Sequence, residues 1–540
     1  MRGIVILAVV LTSIVFGLGF PAWAGPQEAT GVVYWDKNHN GQRDSGEKGL
    51  KGVLVSNGQE VVPTDKNGHY TLPVSNDTII FVIKPRGWTS PLRAGDRVPQ
   101  FYYVHRPDGS PKMKYAGSAP TGPLPASVDF PLYRHKEPKK FKIICMGDTQ
   151  VRNQEECDFL AHDMVEELQG TDAAFGVTLG DVVFNDLTVF GPMARSIGGI
   201  GVPWRHVIGN HDHNHDAPTE GTTEDSYEAY FGPATYAFNY GPVHFIALDD
   251  IWHNALKEEY HAELGAEKLA FIKNDLAHLD KGQLVVLMMH IPIMEIKDRR
   301  TLFDLLKEFP HTFSLSAHTH NQWQAFLGPE SGWKQKEAHH HFNHGTACGC
   351  WWGGFFDEVS IPHATMMDGV PNGYSFITFN GSHYEVDYRA ARRCPSYQMN
   401  IFTPEVIKAA DAPKTEVIVN VFAGSSRSTV EMRVEDGKWT PMTQFKGLDP
   451  YYRQLHDRQG LFVKLMAERD KVQNVDNAYL GKLQREFGPI LRGLSKPDET
   501  GHLWKQTLPA ELTPGMHKIE VRTKDMFGHE YTANRILRVE

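Results

Sequence analysis

From Phe141 onward, short apolar runs that end in glycine and a polar residue recur along the chain. The runs at 141–146, 173–179 and 204–208 end at Gly147-Asp148, Gly180-Asp181 and Gly209-Asn210. A segment of helical spacing at 155–168 separates the first two runs, and this alternation is typical of buried strands in an α/β sheet. Because sites in such sheets lie at the C-terminal ends of strands, the pattern predicts one functional edge.

Two histidine motifs extend the pattern. The apolar runs at 243–248 and 284–289 are further strand candidates, the second ending at His290, and His318-Thr319-His320 follows later. A pair of bound metals needs a bridging carboxylate, nitrogen and oxygen ligands, and open positions for water and substrate. One Gly-Asp pair alone is more often a turn, but the whole set predicts a two-metal site; its members are Asp148, Asp181, Asn210, His290, His318 and His320.

These motifs resemble those of the calcineurin-like metallophosphoesterase superfamily over about residues 141–390. The resemblance rests on Asp148-Thr149-Gln150, Gly180-Asp181, Gly209-Asn210-His211-Asp212, His290 and Ala317-His318-Thr319-His320. It implies a four-layer α/β/β/α sandwich and the hydrolysis of a phosphate ester. It also implies one metal on Asp148, Gln150, Asp181 and His320, and a second on Asp181, Asn210, His290 and His318, with Asp181 bridging.

By the same resemblance, His211 faces the substrate rather than a metal. An imidazole near neutral pH suits protonation of the leaving alkoxide, so His211 is the candidate general acid. The alternative is a purely electrostatic contact with the phosphate. The expected nucleophile is a metal-bound hydroxide.

The chain departs from the family pattern at three places. Gln150 stands where many members have histidine, which leaves iron, manganese and zinc all open as the metals. Ala317 replaces the usual glycine before His318. An acidic partner for the general acid has no clear equivalent, and Asn185 or Asp186 is the candidate substitute.

Two loops are candidates for the substrate pocket. One contributes His213 and His215, and the other contributes Trp351, Trp352 and Asp368. The two tryptophans either stack on a sugar or base, or pack their loop onto the sheet. The formal net charge of −10 argues against a nucleic-acid scaffold role. The metallophosphoesterase resemblance implies a small phosphorylated substrate.

The N-terminus has the pattern of a cleavable signal peptide over residues 1–24. Arg2 precedes an apolar run at 4–20, and Ala22-Trp23-Ala24 fits a small-x-small cleavage site. The alternative is an uncleaved anchor, although the run is short for a membrane span. We expect a secreted or periplasmic bacterial protein without a transmembrane anchor after processing. Five cysteines is an odd number, so at least one thiol stays free or pairs between chains, and a disulfide at Cys157 or at Cys394 remains open.

The segment at 25–135 reads as a small β-sandwich that carries a calcium-like loop. Oxygen-bearing side chains and a central Gly41 follow the spacing of a twelve-position calcium loop; they are Asp36, Asn38, Asn40, Gln42, Asp44 and Glu47. Strands rather than helices flank this loop, and the segment resembles the B-modules of bacterial surface proteins. This predicts a structural Ca²⁺, the alternative being an Asx-rich turn without metal.

The predicted order is a β-sandwich at 25–135, an α/β metallophosphoesterase domain at 136–395, and a β-rich domain at 396–540 with a helical insertion at 451–494. This order resembles a bacterial group of exported calcineurin-like phosphoesterases. Two alternatives remain open: a phosphodiesterase instead of a phosphomonoesterase, and a calcium-stabilised surface binding protein with an inactive core. The sequence does not decide the oligomeric state.

Overall fold

Alternating apolar residues near the N-terminus build a β-sandwich. The computed structural model describes residues 27–488 and 490–540, so the predicted signal segment 1–24 lies outside the described residues. Two sheets, with strand orders β4-β1-β8-β6 and β3-β2-β5-β7, enclose a core that includes Val33, Val55, Leu72 and Ile80. The strands are β1 Gln27–Trp35, β2 Leu54–Ser56, β3 Val61–Pro63, β4 His69–Val74, β5 Thr78–Ile83, β6 Trp88–Thr89, β7 Tyr102–His105 and β8 Phe130–Arg134.

The middle of the chain forms two larger sheets, in the orders β11-β10-β9-β21-β22 and β12-β13-β16-β17-β19-β18. A separate hairpin joins β14 to β15, and β20 pairs with β29 of the next domain. The strands are β9 Lys140–Met146, β10 Gly176–Leu179, β11 Trp204–Val207, β12 Tyr236–Tyr240, β13 Val243–Ala247, β14 Ile251–Asn254, β15 Glu259–Ala262, β16 Leu284–Met288, β17 Thr312–Ser316, β18 Trp323–Leu327, β19 His339–Asn343, β20 Gly354–Phe355, β21 Gly373–Asn380 and β22 His383–Ala390.

Side-chain alternation along β9 shows how the layers stack. Ile143 and Cys145 pack in the core shared with the second sheet, whereas Ile144 and Met146 pack in a core with the helices on the outer face. The helices of this domain are α1 Gln154–Leu160, which continues through a π-helical turn at Ala161–Val165 into α2 Glu166–Leu168, then α3 Phe190–Gly198, α4 Asp225–Phe231, α5 Gly265–Leu276 and α6 Arg299–Leu306. Phe271 of α5 and Phe303 of α6 cover the other sheet.

The C-terminal part is a second β-sandwich, with strand orders β23-β25-β30-β28 and β24-β32-β31-β26-β27. Two helices, α7 Pro450–Asp470 and α8 Asn477–Phe487, interrupt it. The strands are β23 Met399–Phe402, β24 Val406–Ile407, β25 Glu416–Val421, β26 Thr429–Val434, β27 Thr440–Pro441, β28 Thr443–Leu448, β29 Leu491–Arg492, β30 Glu499–Thr507, β31 Gly515–Lys524 and β32 Glu530–Val539.

The helical insertion is anchored on the middle domain. Asp449 caps α7 by accepting a 2.6 Å hydrogen bond from the Tyr452 backbone N–H, and Pro450 occupies the first turn. Tyr452 and Leu455 then pack with Cys350 in one buried cluster. The insertion therefore lies beside the loop that carries Trp351.

The predicted fold class, an α/β/β/α sandwich flanked by β domains, is confirmed. Within the described part of the chain, no helix combines the length and the apolar character needed to cross a membrane.

Candidate metal centre

Five of the seven predicted metal ligands have a left-handed backbone. The φ angles are +23° at Asp148, +38° at Gln150, +45° at Asp181, +71° at His318 and +50° at His320. Such conformations cost about 1 kcal/mol or more in residues other than glycine, and they cluster at functional sites. The strand ends are thus bent to turn these side chains toward a common point.

Two glycines make room for that arrangement. A Cβ atom on Gly209 would lie 2.0 Å from the Asp181 backbone nitrogen. A Cβ atom on Gly180, whose φ is +80°, would lie 2.4 Å from Nδ1 of His290. Both contacts are too close for any other residue, so the glycines allow the ligand loops to touch.

The centre of the site is a triad of ligand atoms from Asp181, His290 and His318, all within 4.8 Å of one another. Nε2 of His290 lies 3.3 Å from Asp181 Oδ1 and 3.1 Å from His318 Nδ1. The same nitrogen lies 3.2 Å from Oδ1 of Asn210. Four predicted ligands therefore converge on one point.

The orientation of His290 suits metal binding. Its Nδ1 lies 2.9 Å from the Leu179 carbonyl oxygen, which can only accept, so Nδ1 carries the proton and the Nε2 lone pair points into the site. Burial lowers the pKa of His290, but Asp181 and Asp148 outweigh it and raise that pKa to about 10. Without a metal, the two carboxylates thus favour a second proton on Nε2, at the position where a bound cation would take its place.

The remaining predicted ligands surround this point. Asp148 accepts a 2.9 Å hydrogen bond from the His318 backbone N–H through Oδ2. Its Oδ1 is buried and has no hydrogen-bond partner among the described residues, as expected of an atom that binds a cation. The Gln150 side-chain amide donates to Oδ2 of Asp181 at 2.9 Å.

His320 is oriented in the same manner as His290. Its Nδ1 lies 2.7 Å from the Gly349 carbonyl oxygen, which leaves Nε2 unprotonated in the neutral ring. Carboxylate, imidazole and amide donors are the set that iron, manganese and zinc accept, so the residues present fit such metals.

His211 lies at the rim of this site. Its backbone N–H donates to Asp181 Oδ1 at 2.9 Å, and its Nε2 lies 4.0 Å from Asp181 Oδ2. The ring stacks on Phe184 with centroids 4.5 Å apart, and Nδ1 lies 2.7 Å from Oδ1 of Asn185. An amide oxygen accepts, so Asn185 orients the imidazole; Asp186 instead caps a short helix by accepting from the Thr188 N–H.

Two supporting carboxylates were not among the predicted site residues. Asp212 accepts from the backbone N–H groups of Val182 and Val183, both at 3.0 Å, and of Gly209 at 2.8 Å. Asp250 accepts from the His290 backbone N–H at 3.2 Å. Each follows an apolar run or lies inside a motif, which is the sequence signal that identified the ligands themselves.

The histidines predicted for the pocket have separate environments. His213 is fully buried and stacks on His253 with centroids 4.9 Å apart. His215 is exposed, and its Nε2 lies 2.8 Å from Oδ1 of Asn185, the partner of His211. Of the two, only His215 shares a direct partner with the candidate acid.

The residues of the second loop also diverge. Trp352 is fully buried against Phe159, so it packs its loop onto the sheet domain instead of stacking on a ligand. The Trp351 ring, in contrast, lies 4.1 Å from the His320 ring. Asp368 is fully buried and accepts from the Gln322 N–H at 2.7 Å. Its Oδ2 also lies 3.1 Å from Nε2 of His502, so it links the middle and C-terminal domains.

The oxygen-bearing side chains of the calcium-like loop accept hydrogen bonds from N–H groups of the same loop. Asp36 accepts from the backbone N–H groups of His39 and Gly41, and Asp44 Oδ2 accepts from the side-chain amides of Asn38 and Asn40. Glu47 accepts from the Lys37 and Asp44 N–H groups, and the Gln42 N–H donates to Asn40. The oxygen side chains are thus gathered in one loop after β1.

Cys157 and Cys394 are not bridged, and all five cysteines are free.

Comparisons with known proteins agree with this chemistry. A family model described as the N terminal of calcineurin-like phosphoesterase matches residues 37–116, and one described as the C terminal of calcineurin-like phosphoesterase matches residues 341–487 and 464–531. No curated protein is similar to the chain at a significant level.

Among solved structures, a purple acid phosphatase isolated from yellow lupin (Lupinus luteus) seeds is 11% identical. That match covers 64% of this chain and 69% of the lupin chain, with a TM-score of 0.34, a similarity too low to bear on the chemistry. On its sequence motifs, family models and fold, the chain belongs to the calcineurin-like metallophosphoesterase superfamily and is a metal-dependent phosphoric ester hydrolase.

Proposed function

We propose that this protein is an exported phosphoesterase that hydrolyses small phosphorylated molecules at a dinuclear metal centre. The observation that carries the proposal is the convergence of Asp181, Asn210 and His318 on Nε2 of His290. Asp148, Gln150, Asp181 and His320 would hold one metal, and Asp181, Asn210, His290 and His318 the other.

The protein's own groups have distinct tasks in this reaction. Metals held by these residues would supply Lewis-acid activation of the phosphate ester and of a water molecule. Leu179 and Gly349 hold the imidazoles of His290 and His320 with the coordinating nitrogen unprotonated. His211, oriented through Nδ1 by Asn185, donates a proton from Nε2 to the leaving alkoxide.

Turnover of p-nitrophenyl phosphate beside bis-p-nitrophenyl phosphate tests this function and separates the two ester classes. We expect hydrolysis that a chelator abolishes and that iron, manganese or zinc restores. The His290→Asn variant should lose this activity, while His278→Asn, which changes an exposed histidine, should keep it. No hydrolysis of either ester by the metal-loaded protein would overturn the proposal and favour the binding-protein alternative.

Two finer parts of the proposal concern export and calcium. Export is supported by the signal-peptide pattern of residues 1–24, and mass spectrometry of the protein from its native host should show a chain that starts at Gly25. A full-length cytoplasmic chain would contradict it.

A structural Ca²⁺ in the loop is supported by the spacing of its six oxygen-bearing side chains. Added Ca²⁺ should raise the melting temperature of the wild type but not that of Asp36→Asn. Equal shifts in the two proteins would contradict a calcium role for this loop.

A further inference from the structure

A cavity of about 880 Å³ lies between the middle domain and the helical insertion. Arg152, Trp351 and Phe356 line it from the middle domain, and Gln484 and Arg492 line it from the insertion. Cavities of this volume hold organic molecules larger than a phosphate ion. The cavity thus has room for the organic part of a phosphate ester.

Trp351 and Arg152 line the cavity and also border the metal centre. The Trp351 ring lies 4.1 Å from the ring of the predicted ligand His320. Arg152 donates to the Trp351 carbonyl oxygen at 3.0 Å, and its guanidinium lies 4.7 Å from the ring centroid of Phe184, on which His211 stacks. The cavity and the metal centre therefore lie on neighbouring surfaces that share Trp351, and the organic part of a bound ester would have to pass this side chain to reach the cavity.

The opposite wall is held in place by ion pairs across the domain boundary. Arg492 donates to Glu156 Oε1 at 2.7 Å and to Glu155 Oε2 at 2.5 Å. Glu156, whose side chain is 1% exposed, also accepts from Arg152 at 3.2 Å. The insertion is therefore fixed against the strand-end segment that carries Gln150.

The lining indicates what kind of group fits. The lining contains two arginines and two glutamates, so it has no excess positive charge to bind a second phosphate. Its amide and hydroxyl side chains make it unsuited to an acyl chain; they belong to Asn153, Gln484 and Ser360. Nε1 of Trp351 is a buried donor that has no partner among the described residues.

Aromatic faces beside mixed donors and acceptors match a ring that carries hydroxyl groups. The geometry points to this cavity as a subsite for the sugar of a sugar phosphate, formed jointly by the middle domain and the helical insertion. The inference rests on the proposed phosphoesterase function and specifies its substrate class. Gln484 of α8 and Trp351 of the middle domain line this cavity from opposite sides of the domain boundary.

Competitive inhibition measures the subsite separately from the chemistry. Inorganic phosphate, glucose 1-phosphate and glucose 6-phosphate are each tested as inhibitors of p-nitrophenyl ester hydrolysis. In the wild type, at least one hexose phosphate should inhibit about tenfold more strongly than phosphate, because its sugar adds contacts in the cavity.

The Gln484→Trp variant fills the cavity. In this variant the hexose phosphate should inhibit no more strongly than inorganic phosphate, while hydrolysis of the p-nitrophenyl ester persists. Arg485→Trp places the same side chain on the same helix at an exposed position outside the cavity lining, and it should retain the preference.

Three results would overturn the inference. If neither hexose phosphate inhibits more strongly than phosphate, the cavity is not a sugar subsite. If Gln484→Trp keeps the preference, the sugar binds elsewhere. If both tryptophan variants lose it equally, the effect does not come from the cavity. Absence of any ester hydrolysis by the wild type would instead defeat the proposed function on which the inference rests.

Discussion

Nε2 of His290 lies 3.3 Å from Oδ1 of Asp181, although the two residues follow strands of different sheets. Asp181 follows β10 of the five-stranded sheet, and His290 follows β16 of the six-stranded sheet. The candidate metal centre therefore joins the two halves of the sandwich. Two of its candidate ligands, Asp148 and Asp181, are buried carboxylates whose like charges repel each other.

Metal binding should consequently stabilise the fold, because a cation relieves this repulsion and binds only the folded arrangement. We expect the melting temperature to fall when a chelator removes the metals and to recover when they are restored. Differential scanning calorimetry measures the shift. The Asp181→Asn variant should show little metal-dependent shift, and an equal shift in both proteins would place the stabilising metal elsewhere.

Replacement of His211 separates acid catalysis from a phosphate contact. The His211→Asn variant should lose about 10²–10⁴-fold in kcat/KM toward phenyl phosphate, whose leaving group needs a proton. It should lose far less toward p-nitrophenyl phosphate. The control is His278→Asn, which changes an exposed histidine outside the site and should affect both substrates little. Equal losses of His211→Asn on both substrates would identify a purely electrostatic role.

Asp212 should be important for stability rather than for chemistry. Asp212→Ala leaves three buried N–H groups in two ligand loops without an acceptor and should lower the free energy of unfolding by about 3 kcal/mol or more. Asp212→Asn keeps one acceptor oxygen and should lose less. Urea denaturation of the metal-free proteins measures both changes, and an Asp212→Ala protein as stable as the wild type would contradict this role.

Motif spacing was enough to propose much of the candidate site because each candidate ligand follows a buried strand. Gly180-Asp181 and Gly209-Asn210 were recognisable from the glycine that permits the bend. The role of Trp351 was not decided by sequence, since stacking on a ligand and packing in a core use the same residue type. Its neighbour Trp352 packs in the core, and only tertiary contacts distinguish the two.

Sequence patterns did not predict the contacts between domains. Asp368 was a candidate for substrate binding, yet its partners Gln322 and His502 come from the middle and C-terminal domains. Arg492 is distant in sequence from Glu156, and no local pattern indicates that they pair. Such pairs depend on how the sandwiches pack, not on the periodicity of one strand.

Buried histidines on β19 make stability sensitive to acid. Thr312 and Ser314 hydroxyls lie 2.8 and 2.7 Å from the two ring nitrogens of His339, and burial lowers the pKa values of His339 and His340 to about 3. Both stay neutral in the folded protein, whereas in the unfolded chain they bind protons below their ordinary pKa. The contribution of these two histidines to the free energy of unfolding is therefore fully present above about pH 6.5 and is lost as the pH drops toward 3.

Each of these histidines should contribute a slope of up to about 1.4 kcal/mol per pH unit in that range. Urea denaturation at a series of pH values measures the slope. His339→Gln should reduce it by about one proton's contribution. The variant should unfold with the wild-type pH dependence if His339 is instead protonated in the folded state, which would contradict the buried neutral form.

The proposed hydrolysis depends on two metals held by seven candidate ligands: Asp148, Gln150, Asp181, Asn210, His290, His318 and His320. Metal analysis of the purified protein alongside p-nitrophenyl phosphate turnover tests it most directly. We predict about two transition-metal ions per chain, with activity that rises in proportion to metal content, and loss of both in His290→Asn. A protein that binds no transition metal, or one whose hydrolysis is unchanged after complete metal removal, would contradict the claim.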